Sequence, residues 1–476
     1  MLGTRSPQTT LLLLPATLEA MIPDDHVLKR VHAVLDLQWL TAAVADCYDP
    51  TGGRPSLPPE TALRLMLAGL LLGIVHDRAL LREAQVNLAI RWFCALPFEQ
   101  PLPDHSTLTV IRQRWGADRF RAIFQRIVDQ CVAAGLVAGE VLHVDATLVR
   151  ADVSWQSLVT ERVDAVLAAH PAPDPPLPPP APKAKKRSRT DPDASLATSS
   201  KSYHLEPSYK VHTAVDDQSG VLVDVLVTTG EAAEGQVLLT QLDHVAQQTG
   251  ALPQTVTADG SYALADNYAR CELLGIDAVI PPQREPRRPK RYPLRCFRYD
   301  AVHQRVRCPA RQVLSPVPGR PGVFRGTPAR CQACPRRAHC LLPREKVREV
   351  TIPLHYAALL RARRRHERGW DAATRRAYRR HRWRAEGAHA EAKTRHGLRR
   401  MVRRGIEQVA IQVYLTGAVL NLKRLARQHI LAPVTAAWRR LAVLLAPFRL
   451  GRSDIVSIGV VRARNLLASR IFAWDC

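Results

Sequence analysis

Residues 140–149, EVLHVDATLV, are apolar and β-branched and are opened by Gly139, which is the pattern of a strand. Asp145 stands in the middle of that run, and an Asp inside an apolar strand is costly unless it is paired or bound to a metal. Downstream, SYKVHTAVDD (208–217) and GVLVDVLVTTG (220–230) carry two more strand signals. They join at Gln218-Ser219-Gly220 as a hairpin. Gln236–Gln248 reads as a helix closed by Gly250. TVTADGSY (255–262) is a fourth strand, whose Asp259 meets Gly260 where the strand should open into a loop. A helix from Ala265 to Leu274, closed by Gly275, leads to DAVIPP, a fifth strand.

Three strands, helix, strand, helix, strand is the order of an RNase H-like layered α/β domain, a mixed sheet flanked by helices. Residues 136–283 are its first part and 346–430 its C-terminal helices. Residues 1–135 read as a helical N-terminal domain. Pro59–Arg91 has helical spacing, with Leu63, Leu67, Leu70 and Ile74 on one face, more in keeping with a core than with a binding stripe. In LPDHSTLTVIRQRWG (102–116), Asp104 or Ser106 suits a helix N-cap. Read instead as a triad, adjacent Asp104-His105-Ser106 cannot stack as a relay. Residues 171–201 are proline-rich and then basic, a linker or insert with no core. Residues 284–345 are basic, Pro/Gly-rich and cysteine-bearing, and 431–476 carry no assignment.

The chain has 476 residues, a net charge of +25 and a pI near 10.3, with 46% apolar residues, so it is globular and suited to a polyanion. Between Arg361 and Arg404 sixteen Arg and one Lys face four acids, a net +13 and about half of the total. A nucleic acid is the natural partner of such a surface. A basic membrane-surface protein is the competing class, but no amphipathic basic helix with an aromatic and Leu face is visible. No run of 18 apolar residues spans a membrane, and the four leucines Leu11 to Leu14 are too few for a signal-peptide core. The expected location is therefore the cytoplasm, at the nucleoid.

His381–Arg404, HRWRAEGAHAEAKTRHGLRRMVRR, reads as one long basic helix with Glu386 among its charges. One reading of Glu386 is an ion-pair partner of Arg382, four residues earlier. The other is a third carboxylate beside Asp145 and Asp259, making an oxygen site for Mg²⁺ or Mn²⁺. Two such ions about 3.5–4 Å apart activate a hydroxyl and stabilise the leaving oxygen of a phosphodiester. Glu391 is the rival third carboxylate, but five residues from Glu386 it falls on nearly the opposite side of a helix.

Of ten cysteines, Cys47, Cys94, Cys131, Cys271, Cys296 and Cys476 are scattered, as core residues or unpaired thiols in a reducing compartment. Cys308, Cys331, Cys334 and Cys340 form C-x22-C-x2-C-x5-C, whose C-x2-C step suits Zn²⁺. His339 is an alternative ligand to Cys340, and free thiols or a disulfide are the plain alternative. Metal would fold a segment this poor in core residues.

Together HVDATLVRADVS (143–154), TDPDA (190–194), YKVHTAVD (209–216), VTTGEAAEG (227–235), TADGSY (257–262) and RWRAEGAHAEAKTRHGLRRMVRRG (382–405) resemble the DDE transposases of bacterial insertion sequences. The subgroup resembled bears a cysteine insert before the catalytic Glu. The resemblance spans roughly residues 10–430. In that family's last motif an Arg is followed by Glu four residues on and Lys seven further, as are Arg382, Glu386 and Lys393. The family's Tyr precedes the Arg by three; here position 379 is Arg and Tyr378 lies one residue further back. The resemblance implies Asp145, Asp259 and Glu386 as a metal-binding triad. Arg382 and Lys393 would contact DNA phosphate, with Arg399, Arg400, Arg403 and Arg404 continuing the basic surface. It also implies cleavage at element ends, strand transfer to target DNA and a homodimer on DNA. A catalytically inactive DNA-binding derivative and an RNase H-type nuclease without strand transfer are the alternatives.

Overall fold

A computed structural model describes residues 17–49, 52, 56–97, 101–154, 158–161, 185–197, 205–283, 291–300 and 302–445. The chain divides into two compact units, Met1–Leu425 and Ala426–Cys476. All the described strands belong to the first unit.

Six helices open that unit: α1 (Val27–His32), α2 (Leu40–Ala43), α3 (Pro59–Leu71), α4 (Asp77–Val86), α5 (Leu88–Phe93) and α6 (His105–Ala133). The single helical stretch expected over Pro59–Arg91 is broken into α3, α4 and α5. Gly73 takes the left-handed conformation, and Asn87 stops α4 and caps α5 by accepting from the Ile90 amide at 3.2 Å. Leu63, Leu67 and Leu70 are buried as expected, with Ile74 half-buried. Asp104 caps α6, accepting from the Ser106 amide at 2.8 Å, which bears out the cap.

The main sheet contains β1 (Val141–Arg150), β5 (Glu206–Asp216), β6 (Leu222–Thr229), β7 (Thr255–Thr257) and β8 (Asp277–Val279). Their order is β6–β5–β1–β7–β8, with a short β4 (Ser195–Ala197) on the start of β5. The β6–β5 and β5–β1 pairs are antiparallel; β1–β7 and β7–β8 are parallel. β5 is buried along almost its whole length, as a strand deep in a covered sheet must be. Helices α7 (Leu238–Thr249), ended by left-handed Gly250, and α8 (Ala265–Leu273) connect the later strands. The fold is thus mixed α/β, as expected.

The stretch 171–201 is not wholly an insert. Its Pro171–Pro182 part lies outside the described residues, but β3 (Lys185–Ser188) pairs with β2 (Leu158–Glu161), and β4 joins the main sheet. Buried Asp191 accepts from the Tyr209 hydroxyl at 2.5 Å and from the Gly405 amide at 3.2 Å. Asp193 accepts from the Ile406 amide at 2.9 Å. These carboxylates serve amide groups at the start of α13 (Ile406–Leu445), which have no partner within the helix, and that requirement ties the segment down.

A second antiparallel sheet is made of β9 (Arg298–Asp300), β10 (Arg305–Arg307), β11 (Val313–Pro316), β12 (Val323–Arg325) and β13 (Glu349–Thr351). It has an apolar core of its own, including Phe297, Val306, Leu314, Phe324, Val350 and Ile352. The expectation of a core-poor segment that metal would have to fold is therefore corrected. Short helix α9 (Pro328–Gln332) lies within this region, and α10 (Tyr356–Arg368) follows it.

The long basic helix expected from His381 to Arg404 is continuous through α11 (Ala372–His381), a π-turn over Arg382–Glu386 and α12 (Gly387–Arg395), and it ends there, short of Arg404. The chain then leaves the helix at left-handed Gly397, where an added Cβ would lie 2.1 Å from Val75 Cγ1. It returns beside β1: the Arg150 amide donates to Arg399 O at 3.2 Å, and the Met401 amide to Arg150 O at 2.8 Å. Among the described residues, no helix is long and apolar enough to cross a membrane.

Candidate active site

The parallel register pairs His143 of β1 with Thr257 of β7. Asp145 and Asp259 each lie two residues beyond that pair, so the backbone carries them forward together. Asp145 faces Thr213 of β5 in register and is 16% exposed. Burial pushes its carboxyl up to about 7, and the negative charges of Asp259, Glu234 and Glu386 add to the rise. Asp259 heads the turn Gly260–Tyr262, its Oδ1 accepting from the Ser261 amide at 2.8 Å.

Glu386 closes the π-turn. Its Oε2 accepts from Arg382 Nε at 3.2 Å, with the two side chains 58% and 84% exposed. The ion pair and the approach to Asp145 thus coexist. The donor set is three carboxylates, the hard-oxygen chemistry a divalent cation takes, and the crowding at Asp145 is what a cation relieves. The side chains are nevertheless splayed: among the described residues no group of three or more His, Cys, Asp or Glu is arranged to hold a metal ion.

Glu391 is engaged elsewhere. It pairs with Lys423 and lies 3.8 Å from Arg424 and 3.7 Å from His396. Burial pulls its carboxyl upward, but His396 and the two cations hold it far below the usual carboxylate range.

Tyr378 reaches the site despite its offset. Burial and the charges of Asp259, Asp145 and Glu386 raise its phenol. A π-turn takes one more residue than an α-turn for the same rotation, so the extra residue between Tyr378 and Glu386 is absorbed.

The basic residues separate by role. Lys393 turns inward and donates to Thr147 Oγ1 at 2.6 Å, with its ammonium lowered by burial and by Arg399. Arg382 stays exposed, so the two do not form one row with Glu386. Arg399 and Arg400 are exposed, and Arg400 and Arg404 lie 3.7 and 3.3 Å from the Asp152 carboxylate. Arg403 is drawn inside, 3.2 Å from Asp77, and burial lowers it to about 10.

Three neighbours escaped the sequence reading. His389, pushed down to about 3 by burial, sits 3.5 Å from Asp145 Oδ2 by Nδ1 and 2.8 Å from Thr213 Oγ1 by Nε2. Glu234 and Tyr262 approach from two short turns. The only available signal was position: His389 lies three residues after Glu386, one helical turn on.

Cys308, Cys331, Cys334 and Cys340 line one cavity. Burial raises the Cys340 thiol, Arg348 opposes it, and the other three thiols add to the rise. None of the described cysteines is in a disulfide. His339 packs its ring edge-on to Tyr292, at 6.3 Å between centroids.

A family model described as a transposase domain (DUF772) matches residues 16–114, and one described as a transposase DDE domain (DDE_Tnp_1_6) matches residues 318–426. Over these two stretches the chain is similar to insertion-sequence DDE transposases, and neither match bears on the cysteine-bearing subgroup. Among solved structures, a piggyBac transposase synaptic complex with hairpin DNA, determined by cryo-EM, matches at 9% identity. The match covers 85% of this chain and 73% of that one, with a TM-score of 0.33. No curated protein matches.

Proposed function

We propose that this chain is the DNA transposase of an insertion sequence, cutting DNA at the element ends and joining the freed 3′ hydroxyl to target DNA. The observation that carries the reading is the Asp145 carboxyl: half-buried in mid-sheet, it feels Asp259 and Glu386, the latter from about half the chain away. The strand order, antiparallel on one side of β1 and parallel on the other, supports an RNase H-like catalytic domain. It comprises residues 136–283 and 346–430, after a helical domain over 1–135 and around an insert at 284–345; 431–476 stay without a role.

Asp145, Asp259 and Glu386 would hold Mg²⁺ or Mn²⁺, which supplies an activated hydroxyl and stabilises the leaving oxygen. Glu386 would have to leave its pair with Arg382 to join that set, which would free Arg382 for DNA phosphate. Lys393, anchored on Thr147, presents a fixed positive charge beside Asp145. Exposed Arg399, together with Arg400 and Arg404, extends the phosphate-binding surface; Arg403, engaged with Asp77, supports it from within. The partners are double-stranded DNA at terminal repeats and target, and a second copy of the chain, at the nucleoid. Cys308, Cys331, Cys334 and Cys340 would take one Zn²⁺ in the cavity that they line. About one zinc per chain in protein purified without added metal is the expected result; four freely titrating thiols and no zinc would remove that part.

The decisive experiment is Asp145→Asn. The purified variant is expected to bind end DNA like the parent and to lose cleavage in Mg²⁺. Undiminished cutting would overturn the assignment.

A further inference from the structure

Two short turns, Glu234–Gln236 and Gly260–Tyr262, press against each other beside the carboxylates. Gly235 permits the approach: a Cβ there would lie 2.8 Å from Ser261 O and 2.9 Å from Leu264 Cδ1. Buried Asn267 fastens the two turns, its Nδ2 donating to Gly235 O at 2.7 Å and to Tyr262 O at 2.9 Å. Between them the Ser261 hydroxyl lies 2.5 Å from both Glu234 Oε2 and Asp259 Oδ1. A hydroxyl has one proton to give, so the two carboxylates share a single donor. Lys210 holds Glu234 from the other side, 3.1 Å from Oε1, and donates to Ala232 O at 2.7 Å.

A second observation marks the space as one that takes a ligand. Tyr262 is 0% exposed and its hydroxyl has no hydrogen-bond partner. The negative charges it feels come from Asp145, Glu234 and Asp259, so the phenol is turned into the cluster. A buried O–H without an acceptor is where a ligand oxygen belongs.

We propose that Glu234 is a fourth carboxylate of the site, a positioning residue that holds Asp259 through the Ser261 hydroxyl they share. This rests on the reading of Asp145, Asp259 and Glu386 as the metal-holding set. Glu234 fixes where the Asp259 oxygens point, as groups behind metal ligands do, at a typical worth of about 10–100-fold in metal affinity.

The test is a Mg²⁺ titration of DNA cleavage by the full chain. Glu234→Ala and Ser261→Ala are each expected to raise the half-maximal Mg²⁺ concentration about 10- to 100-fold. The double variant should go little further, because both act along one path. Glu234→Gln, which keeps its volume and an acceptor for Ser261, should recover part of the loss; with Ser261→Ala it carries the test if the alanine variant does not fold. A readout independent of turnover is Fe²⁺-driven backbone cutting near Asp259. Protection by Mg²⁺ should need correspondingly more Mg²⁺ in the variants, while DNA affinity is unchanged. A parental Mg²⁺ midpoint in Glu234→Gln and Ser261→Ala, alongside an inactive Asp145→Asn, would overturn this inference alone. An active Asp145→Asn would overturn the reading beneath it.

Discussion

At β1, Asp145, Asp259 and Glu386 arrive from segments scattered over half the chain. In the second sheet, Cys308, Cys331, Cys334 and Cys340 lie within one stretch, beside a core of their own. In the first group, Asp145 and Asp259 come together because a sheet built for other reasons carries them, β1 pairing with β5 over nine residues and with β7 in parallel, while Glu386 comes from the π-turn. The second is local, and the apolar cluster around Phe324 already supplies packing that the sequence seemed to leave to metal. A cation at the first site would relieve charge crowding within a finished fold. A cation at the second would clip a loop region onto a sheet that has its own core.

The largest effect expected is on chemistry. Glu386→Gln should lower cleavage by roughly a thousandfold or more while DNA binding holds, the scale seen when one electrostatic element of a reaction centre is lost. Cleavage that survives Glu386→Gln in a single-turnover assay would remove this residue from the site. Next, Phe324→Ala should destabilise the second sheet by about 3–5 kcal/mol, as large-to-small changes in a packed core do. Hydrogen exchange reads this locally. Chelating metal from the parent should expose amides around Cys331–Cys340 and leave β11–β12 protected; the reverse pattern would break the contrast between the two regions.

The third effect is pH-dependent. The folded Asp145 carboxyl titrates near 7 against an ordinary value of 3.8. The folded state therefore binds the extra proton between those limits, and this group costs stability progressively as pH rises from about 4 to 7. In metal-free protein, Asp145→Asn should stabilise by on the order of a few kcal/mol at pH 8 and hardly at all at pH 4. Equal melting shifts at both pH values would deny the crowding. Fourth, Glu391→Gln should cost about 1–3 kcal/mol, because Lys423 loses its charged partner, and the folded protein should still cut. The smallest change is Arg382→Ala: within about 0.5 kcal/mol in stability, but with the salt slope of DNA binding reduced by about one.

The sequence was most legible where a local rule decides. Asp104 had to cap α6, Gly250 had to end α7, and the Gln218-Ser219-Gly220 hairpin joined β5 to β6. Asp145 stood out because a charge within an apolar strand needs a reason. Glu234 lies within VTTGEAAEG, but nothing local marks it as a site residue: its partner Ser261 is distant in sequence, and only the missing side chain of Gly235 lets the turns meet. The π-turn was equally hidden. RWRAE has ordinary helical composition, and the extra residue per turn is a matter of backbone hydrogen bonds. The acidic turn at 191–193 was mistaken for linker because its partners, the amides of Gly405 and Ile406, lie on the far side of the basic stretch.

The span between Asp145 and Glu386 also sets an order of events during synthesis. Chains grow from the N-terminus and fold domain by domain as they emerge. β1, β5, β6 and β7 can pair while the ribosome is still reading the second sheet, yet the third carboxylate does not exist until almost all of the first unit has been made. A nascent or prematurely terminated chain ending before the π-turn would offer DNA the earlier basic surface without a complete carboxylate set. Truncation would then yield a competitor for the same DNA sites in place of a cutting enzyme.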